Sequence, residues 1–220
     1  VFMGTPDFGV PALEAMTLHG YQPVAIYCQP DRINGRGRKI NYSPVKSFGL
    51  SHDIPVYQPD SLKNPEEQEK LKALSPDLLV VIAYGKILPK AVLDIPTYGA
   101  INVHASLLPK YRGAAPIQRV IIDGEKETGV TIMQLDEGMD TGNIISAVKM
   151  AIPPHMNAGE LFDQLGSLGA RELIHVLDDL PEKLKHSIPQ NQEEASYAEK
   201  ITKDMGHLDW NLPAERLDCL

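Results

Sequence analysis

The chain is predicted to fold as an α/β domain, a doubly wound and mostly parallel twisted sheet flanked by helices. Three observations predict it. Short β-rich runs alternate with segments of helical periodicity, the arrangement of a parallel sheet covered on both faces. A turn bounded by Gly4 and Gly9 follows the first such run and leads into a helical segment, as strand-to-helix turns of open α/β sheets do. At 220 residues, 43% hydrophobic and 23% charged, the chain is long enough for a substantial core and ordinary in composition for a globular protein.

The first strand is expected at residues 1–3, just before that turn. The turn invites a dinucleotide reading and fails it. Pro6 stands where G-x-G-x-x-G needs its second glycine, the one that lets a pyrophosphate approach the backbone. A helix is expected to start near Pro11, a strand at 24–28 and another helix near Ser43. Residues 35–42 lack either periodicity and read as an exposed loop. A short strand fits 55–57, a helix starts near Glu66, and a strongly apolar strand covers 78–83. Strands at 100–103, 130–135 and 144–150 follow, with a helix starting near Ala115 between the first two. The clearest helix starts at Ala158. Asn157 followed by Glu160 is an N-cap signature, and Leu161, Leu165, Leu168, Leu173, Val176, Leu177 and Leu180 form an apolar stripe. Beyond Leu180 the chain turns polar, with Pro181, Pro189 and the run 190–194. The core is therefore placed within 1–188.

Composition excludes several function classes. The longest apolar run, 78–83, is six residues, against the ~20 needed to span a bilayer, and no secretory apolar segment is visible, so no membrane association is expected. Cys28 and Cys219 show no metal-ligand spacing, and a disulfide framework is not expected; a reducing cytoplasm is the default. His19, His52, His155, His175, His186 and His207 are scattered, and no metal site is read. A net charge of −8 argues against a general nucleic-acid binder. Between residues 29 and 46, however, Arg32, Arg36, Arg38, Lys39 and Lys46 stand against Asp31 alone, which leaves −12 on the rest of the chain.

Residues 102–119 carry the most chemistry. Asn102 and His104 are two apart after the apolar Ala100 and Ile101, and residues i and i+2 of a strand share a face. A carboxamide donor and a titratable imidazole aimed at one spot suit acyl transfer, which must hold an oxyanion and move a proton. The spacing alone also fits a core histidine and a turn asparagine. Leu107, Leu108 and Pro109 then stop the strand, because proline has no N–H for the ladder.

Two further segments accompany this one. Asp-Glu-Gly-Met-Asp-Thr-Gly spans 136–142 after the strand-like 129–135, and Ala-Tyr-Gly-Lys-Ile-Leu-Pro spans 83–89 after 78–82. Together the three resemble the formyltransferase family that uses 10-formyltetrahydrofolate. The run Ser-Leu-Leu-Pro-Lys-Tyr-Arg-Gly-Ala-Ala-Pro-Ile-Gln (106–118) is similar to the branch of that family whose acceptor is methionyl initiator tRNA. So are Phe-Met-Gly-Thr-Pro-Asp-Phe (2–8) and the segment from Gln29 to Lys39. The resemblance extends from residue 1 to about residue 212.

What the resemblance implies is specific. It implies a Rossmann-like catalytic domain at 1–188, with 189–220 leading toward a C-terminal tRNA-binding β-barrel domain absent from this sequence. It implies metal-free transfer of the formyl group of 10-formyltetrahydrofolate to the α-amine of methionyl initiator tRNA, by a monomeric cytoplasmic enzyme. Catalysis falls to Asn102, His104 and Asp140. Gly138 is expected to supply a positive φ that folds Asp140 back over the site, although residues 140–142 also read as an ordinary turn. The folate head is expected on Ala83, Tyr84, Gly85, Ile87, Leu88, Glu137 and Gly138, with Val92 and Met133 as candidate apolar walls. Ser106, Leu107, Leu108 and Pro109 are expected to complete the folate-binding set, with 107–109 also lining the passage between folate and acceptor, and Arg36, Arg38 and Lys39 are expected to meet the tRNA. The alternatives are the same chemistry on an amino-sugar nucleotide, glycinamide ribonucleotide or water, and a non-catalytic folate-binding module.

Overall fold

Apolar residues alternating between two faces build the centre of the molecule. The computed structural model describes residues 1–34 and 39–220. In chain order the elements are β1 (Phe2–Gly4), α1 (Val10–Leu18), β2 (Ile26–Tyr27), β3 (Arg32–Asn34), β4 (Lys39–Asn41), α2 (Pro44–Ser51), β5 (Val56–Tyr57), α3 (Pro65–Ala73), β6 (Leu79–Ile82) and α4 (Lys90–Leu93). There follow β7 (Ala100–His104), β8 (Arg112–Gly113), α5 (Pro116–Ile122), β9 (Glu127–Gln134), β10 (Ile144–Ala151), α6 (Ala158–Leu177), α7 (Leu180–Lys185), β11 (Tyr197–Ala198) and α8 (Ala214–Leu217).

Seven strands form one sheet in the order β10–β9–β7–β6–β1–β2–β5. The five from β7 to β5 are parallel; at the other edge β9 pairs antiparallel with β7, and β10 antiparallel with β9. The chain winds outward from β1 through β2 to β5, returns to lie beside β1 as β6, and winds the other way. This is the doubly wound order predicted, and its direction reverses between β1 and β6. Phe2, Ile26, Val80, Ile82, Ile101 and Val103 pack on one face with α1, α2, α5 and α6. Met3, Tyr27, Leu79, Val81 and Ala100 pack on the other, against Leu71 of α3 and Val92 of α4. Such two-sided burial is what makes these strands read as apolar runs.

The expected N-cap of α6 is present in full. The Asn157 side chain accepts from the N–H groups of Gly159 and Glu160, and Glu160 accepts from the Asn157 N–H. Leu161, Leu165, Leu173 and Val176 of its stripe are buried against the sheet.

Two expectations are corrected. Residues 39–41, read as exposed loop, form β4, which pairs antiparallel with β3 from Arg32↔Asn41 to Asn34↔Lys39. Each of these strands holds a single apolar residue between two polar ones, too little for an apolar run, and cross-strand pairing specifies them instead. Arg36 and Arg38 lie outside the described residues, and Lys39 opens β4. The boundary at 188 also moves. Ile188 bridges Ile144 with two 2.8 Å backbone bonds, β11 pairs parallel with β8, and Gln190 and Ala198 are buried. The segment to Ala198 is thus part of the core unit, held by backbone and amide bonds that polar composition conceals.

Candidate active site

The site forms where open α/β sheets hold ligands, at the carboxyl ends of the parallel strands beside the point of reversal. A cleft of about 820 Å³ opens there, lined from β1 by Pro6 and Phe8, from β6 by residues 83–88, and from β7 by Asn102 and His104. The loop between β9 and β10 closes it with residues 135–140.

Asn102 and His104 reach the cleft because β7 continues through His104. Ile101 and Val103 face the larger core, so Asn102 and His104 share the opposite face with Ala100. At the end of the strand that face passes from apolar packing to the cleft. Asn102 is half-buried, and its carboxamide is not engaged by other described residues. His104 is 5% exposed. Its Nε2 donates to the Tyr111 carbonyl at 2.9 Å, which leaves Nδ1 as the free ring nitrogen. Nδ1 faces Asp140 Oδ2 at 3.7 Å, ion-pair range for a protonated ring and longer than a hydrogen bond.

Asp140 sits in a left-handed conformation, with φ at 54°. The turn therefore pivots on Asp140 itself and not on Gly138, a correction to the expected role of that glycine. Gly138 is needed for another reason. A Cβ there would lie 2.0 Å from Thr141 Oγ1, which is bonded to Asp136. Asp140 is held at both ends. Oδ2 accepts from the Gly113 N–H at 2.7 Å, and its carbonyl accepts from Gln190 Nε2 at 2.9 Å.

The β6 loop turns through two left-handed residues, Ala83 (φ 48°) and Gly85 (φ 76°), on either side of Tyr84. The Tyr84 carbonyl accepts from Gln29 Nε2 at 3.0 Å and from Thr5 Oγ1 at 3.3 Å, tying the loop to the ends of β1 and β2. Its phenol points into the smaller core, where burial pushes its pKa up to about 12 and the hydroxyl has no partner among the described residues. Tyr84 thus meets the cleft through its backbone. Gly85 is exposed, as is Ile87 at 82%, and Leu88 is buried beneath them.

Ala83, Tyr84, Gly85, Ile87, Leu88, Asn102, His104, Glu137, Gly138 and Asp140 all line this one cleft. Ser106, Leu107, Leu108 and Pro109 do not. The Thr131 hydroxyl accepts from the Leu108 N–H and donates to the Ser106 carbonyl, while Leu107 lies so close to Gly129 that a Cβ there would be 2.6 Å from it. That loop folds onto β9, and its connection to the site is the Tyr111 carbonyl on His104. Val92 and Met133 are wholly buried core residues. Sequence reasoning missed Gln118, Met139 and Lys200 of the lining, as well as Gln190. Gln118 and Met139 lay in segments singled out for their chemistry; Lys200 and Gln190 did not. Among the described residues no helix is long and apolar enough to cross a membrane, and no three His, Cys, Asp or Glu gather as a metal site needs.

Comparison with known proteins shows the family. A family model described as formyl transferase matches residues 1–177. The methionyl-tRNA formyltransferase of Hydrogenovibrio crunogenus is 51% identical over 217 residues, covering 99% of this chain and 70% of that protein. The methionyl-tRNA formyltransferase of Caldanaerobacter subterraneus is 51% identical over 218 residues, covering 99% and 71%. Among solved structures, the N-formyltransferase of Helicobacter canadensis, in complex with folinic acid and dTDP-3-aminofucose, superposes with a TM-score of 0.74 at 21% identity. It covers 99% of this chain and 77% of that one, and the likeness is one of fold.

Proposed function

We propose that this chain, which belongs to the formyl transferase family, moves the formyl group of 10-formyltetrahydrofolate onto the α-amine of methionyl initiator tRNA. The observation that carries the reading is the convergence of Asn102, His104 and Asp140 on one cleft. Identity near 50% to methionyl-tRNA formyltransferases over nearly the whole chain selects the acceptor.

The reaction needs no covalent enzyme intermediate. The neutral amine attacks the formyl carbon, a C–N bond forms, and the carbonyl electrons move to oxygen. The amine then gives up a proton, the oxyanion collapses, the bond to N10 breaks, and N10 is protonated as it leaves. The uncommitted Asn102 carboxamide donates to the oxyanion. His104 Nδ1, free because Nε2 is bonded to Tyr111, is the nitrogen that holds or passes the proton. Asp140 faces it as a fixed negative charge. The pterin edge is read by backbone groups of residues 83–88 and by Glu137 and Gly138. Arg36, Arg38 and Lys39 meet the tRNA. The enzyme works as a monomer in the cytoplasm.

The test is direct. The full protein is incubated with formyl-labelled donor and methionyl initiator tRNA, beside charged elongator tRNA and a sugar-nucleotide amine. Label on the initiator alone supports the reading; label on the sugar alone, or on none, removes it.

A further inference from the structure

The left-handed turn at Asp140 is held in place from outside its own loop. Gln190 Nε2 has two hydrogens, and both go to this turn, to the carbonyls of Asp140 (2.9 Å) and Gly142 (2.7 Å). Gln190 Oε1 accepts from Nε and Nη2 of Arg112, at 3.0 and 2.6 Å. The remaining guanidinium nitrogen of Arg112, Nη1, donates to Gln192 Oε1 at 2.7 Å. Arg112 is 0% exposed, and among the described residues no carboxylate lies within ion-pair distance of it.

A buried guanidinium partnered by amides alone is costly and calls for a reason. The hydrogen-bond inventory supplies one. Arginine can only donate, so the oxygen of Gln190 must face it, and the amide nitrogen must then face the two carbonyls. The cation fixes the orientation of the amide, and the amide fixes the turn. The residue after Arg112 completes the hold, because the Gly113 N–H donates to Asp140 Oδ2. We infer that Gln190, oriented by Arg112, is a positioning residue that sets the Asp140 carboxylate against His104. The inference rests on the reading of Asp140 as part of the reacting machinery.

Gln190→Glu separates positioning from folding. A carboxylate keeps its bonds to Arg112 and gains an ion pair, yet it makes both carbonyl approaches repulsive. Gln190→Met keeps the volume and removes both sets of hydrogen bonds. In the full protein, folded variants of both kinds are expected to lose kcat on the order of tenfold or more, with KM for folate and tRNA within about threefold of wild type. On the residual rate of Asp140→Ala, adding Gln190→Met should cost little more, because the carboxylate it positions is gone. Should both Gln190 variants fail to fold by circular dichroism, Gln192→Leu carries the same comparison. It is exposed, holds one guanidinium nitrogen, and should lower kcat about threefold with KM unchanged. A folded Gln190 variant with wild-type kcat, or a loss confined to KM or to melting temperature, overturns the inference. Asp140→Ala with full activity removes Asp140 from the reacting machinery on which the inference rests, which keeps the two failures apart.

Discussion

At the scale of single residues, the cleft is surrounded by backbone that side chains ordinarily avoid. Ala83, Tyr111 and Asp140 all have positive φ, at 48°, 59° and 54°. Each left-handed residue with a Cβ costs roughly 1–2 kcal/mol, and such strain persists only where neighbours hold it. Tyr111 is held by its N–H on Ser196 and its hydroxyl on Asp123 and Glu125, and this aims its carbonyl at His104. Fixed groups of this kind act on the transition state without reorganising, so loss of any one should appear in kcat. Asn102→Ala, His104→Ala and Asp140→Ala are each expected to lower kcat on the order of 10²-fold while the protein stays folded. Because the three serve one transition state, their double variants should fall well short of additive. Single-turnover rates beside melting curves check this, and a variant at wild-type rate removes that residue from the mechanism.

At the scale of elements, the loops after the strands decide what the cleft can bind. Gly85 and Gly99 both have positive φ, 76° and 69°, but their surroundings differ. A Cβ at Gly85 would lie 2.3 Å from Gln29 Nε2, the group bonded to the Tyr84 carbonyl, whereas a Cβ at Gly99 meets nothing within 4 Å. Both alanine variants should lose roughly 1–2 kcal/mol of stability from strain. Only Gly85→Ala should also weaken folate binding, by about tenfold, the equivalent of one hydrogen bond. Titration of a fluorescent folate analogue against both variants checks this, and equal affinities contradict the role given to the β6 loop. The same contrast explains what could be read from the sequence. Strands β1, β2, β6, β7, β9 and β10 and helix α6 were legible because burial leaves runs of apolar residues and a cap leaves a motif. Asn102 and His104 were legible as a pair because two-residue spacing fixes their common face. The β3–β4 and β8–β11 pairings were not, since their few residues mix polar and apolar types and form no apolar run. Gln190 was hidden in a polar run, because its role comes from partners 48 to 78 residues away in sequence. The loop 106–109 was legible as a motif, but its packing onto β9 was not, since a motif does not say which side of a strand it packs on.

At the scale of the whole molecule, charge poses the question that the cleft does not answer. A protein carrying −8 must bring a polyanion to an active site flanked by Asp136, Glu137 and Asp140. The basic segment between residues 29 and 46 is where basic residues are most concentrated against that sign. Part of it is spoken for. Lys46 is bonded to Asp31 and Gln58 and lies 4.1 Å from the centre of the Tyr42 ring, so it stays at the base of the β3–β4 pair. Arg36, Arg38 and Lys39 are the charges proposed for tRNA. An arginine meets phosphate through a planar fork and stacks on an unpaired base, which suits Arg36 to a single-stranded acceptor end. Arg36→Ala is therefore expected to lower kcat/KM for methionyl initiator tRNA and to leave folate affinity unchanged. Each phosphate ion pair removed should also shallow the log–log salt dependence of tRNA binding by about 0.7 to 0.9. The negative remainder makes a second demand. Removing one basic residue from an acidic surface should matter most at low ionic strength, where repulsion is least screened. Affinities of wild type and Arg36→Ala, measured in the full protein across a salt series, decide the matter; identical slopes and turnover would return the segment to an ordinary solvated surface.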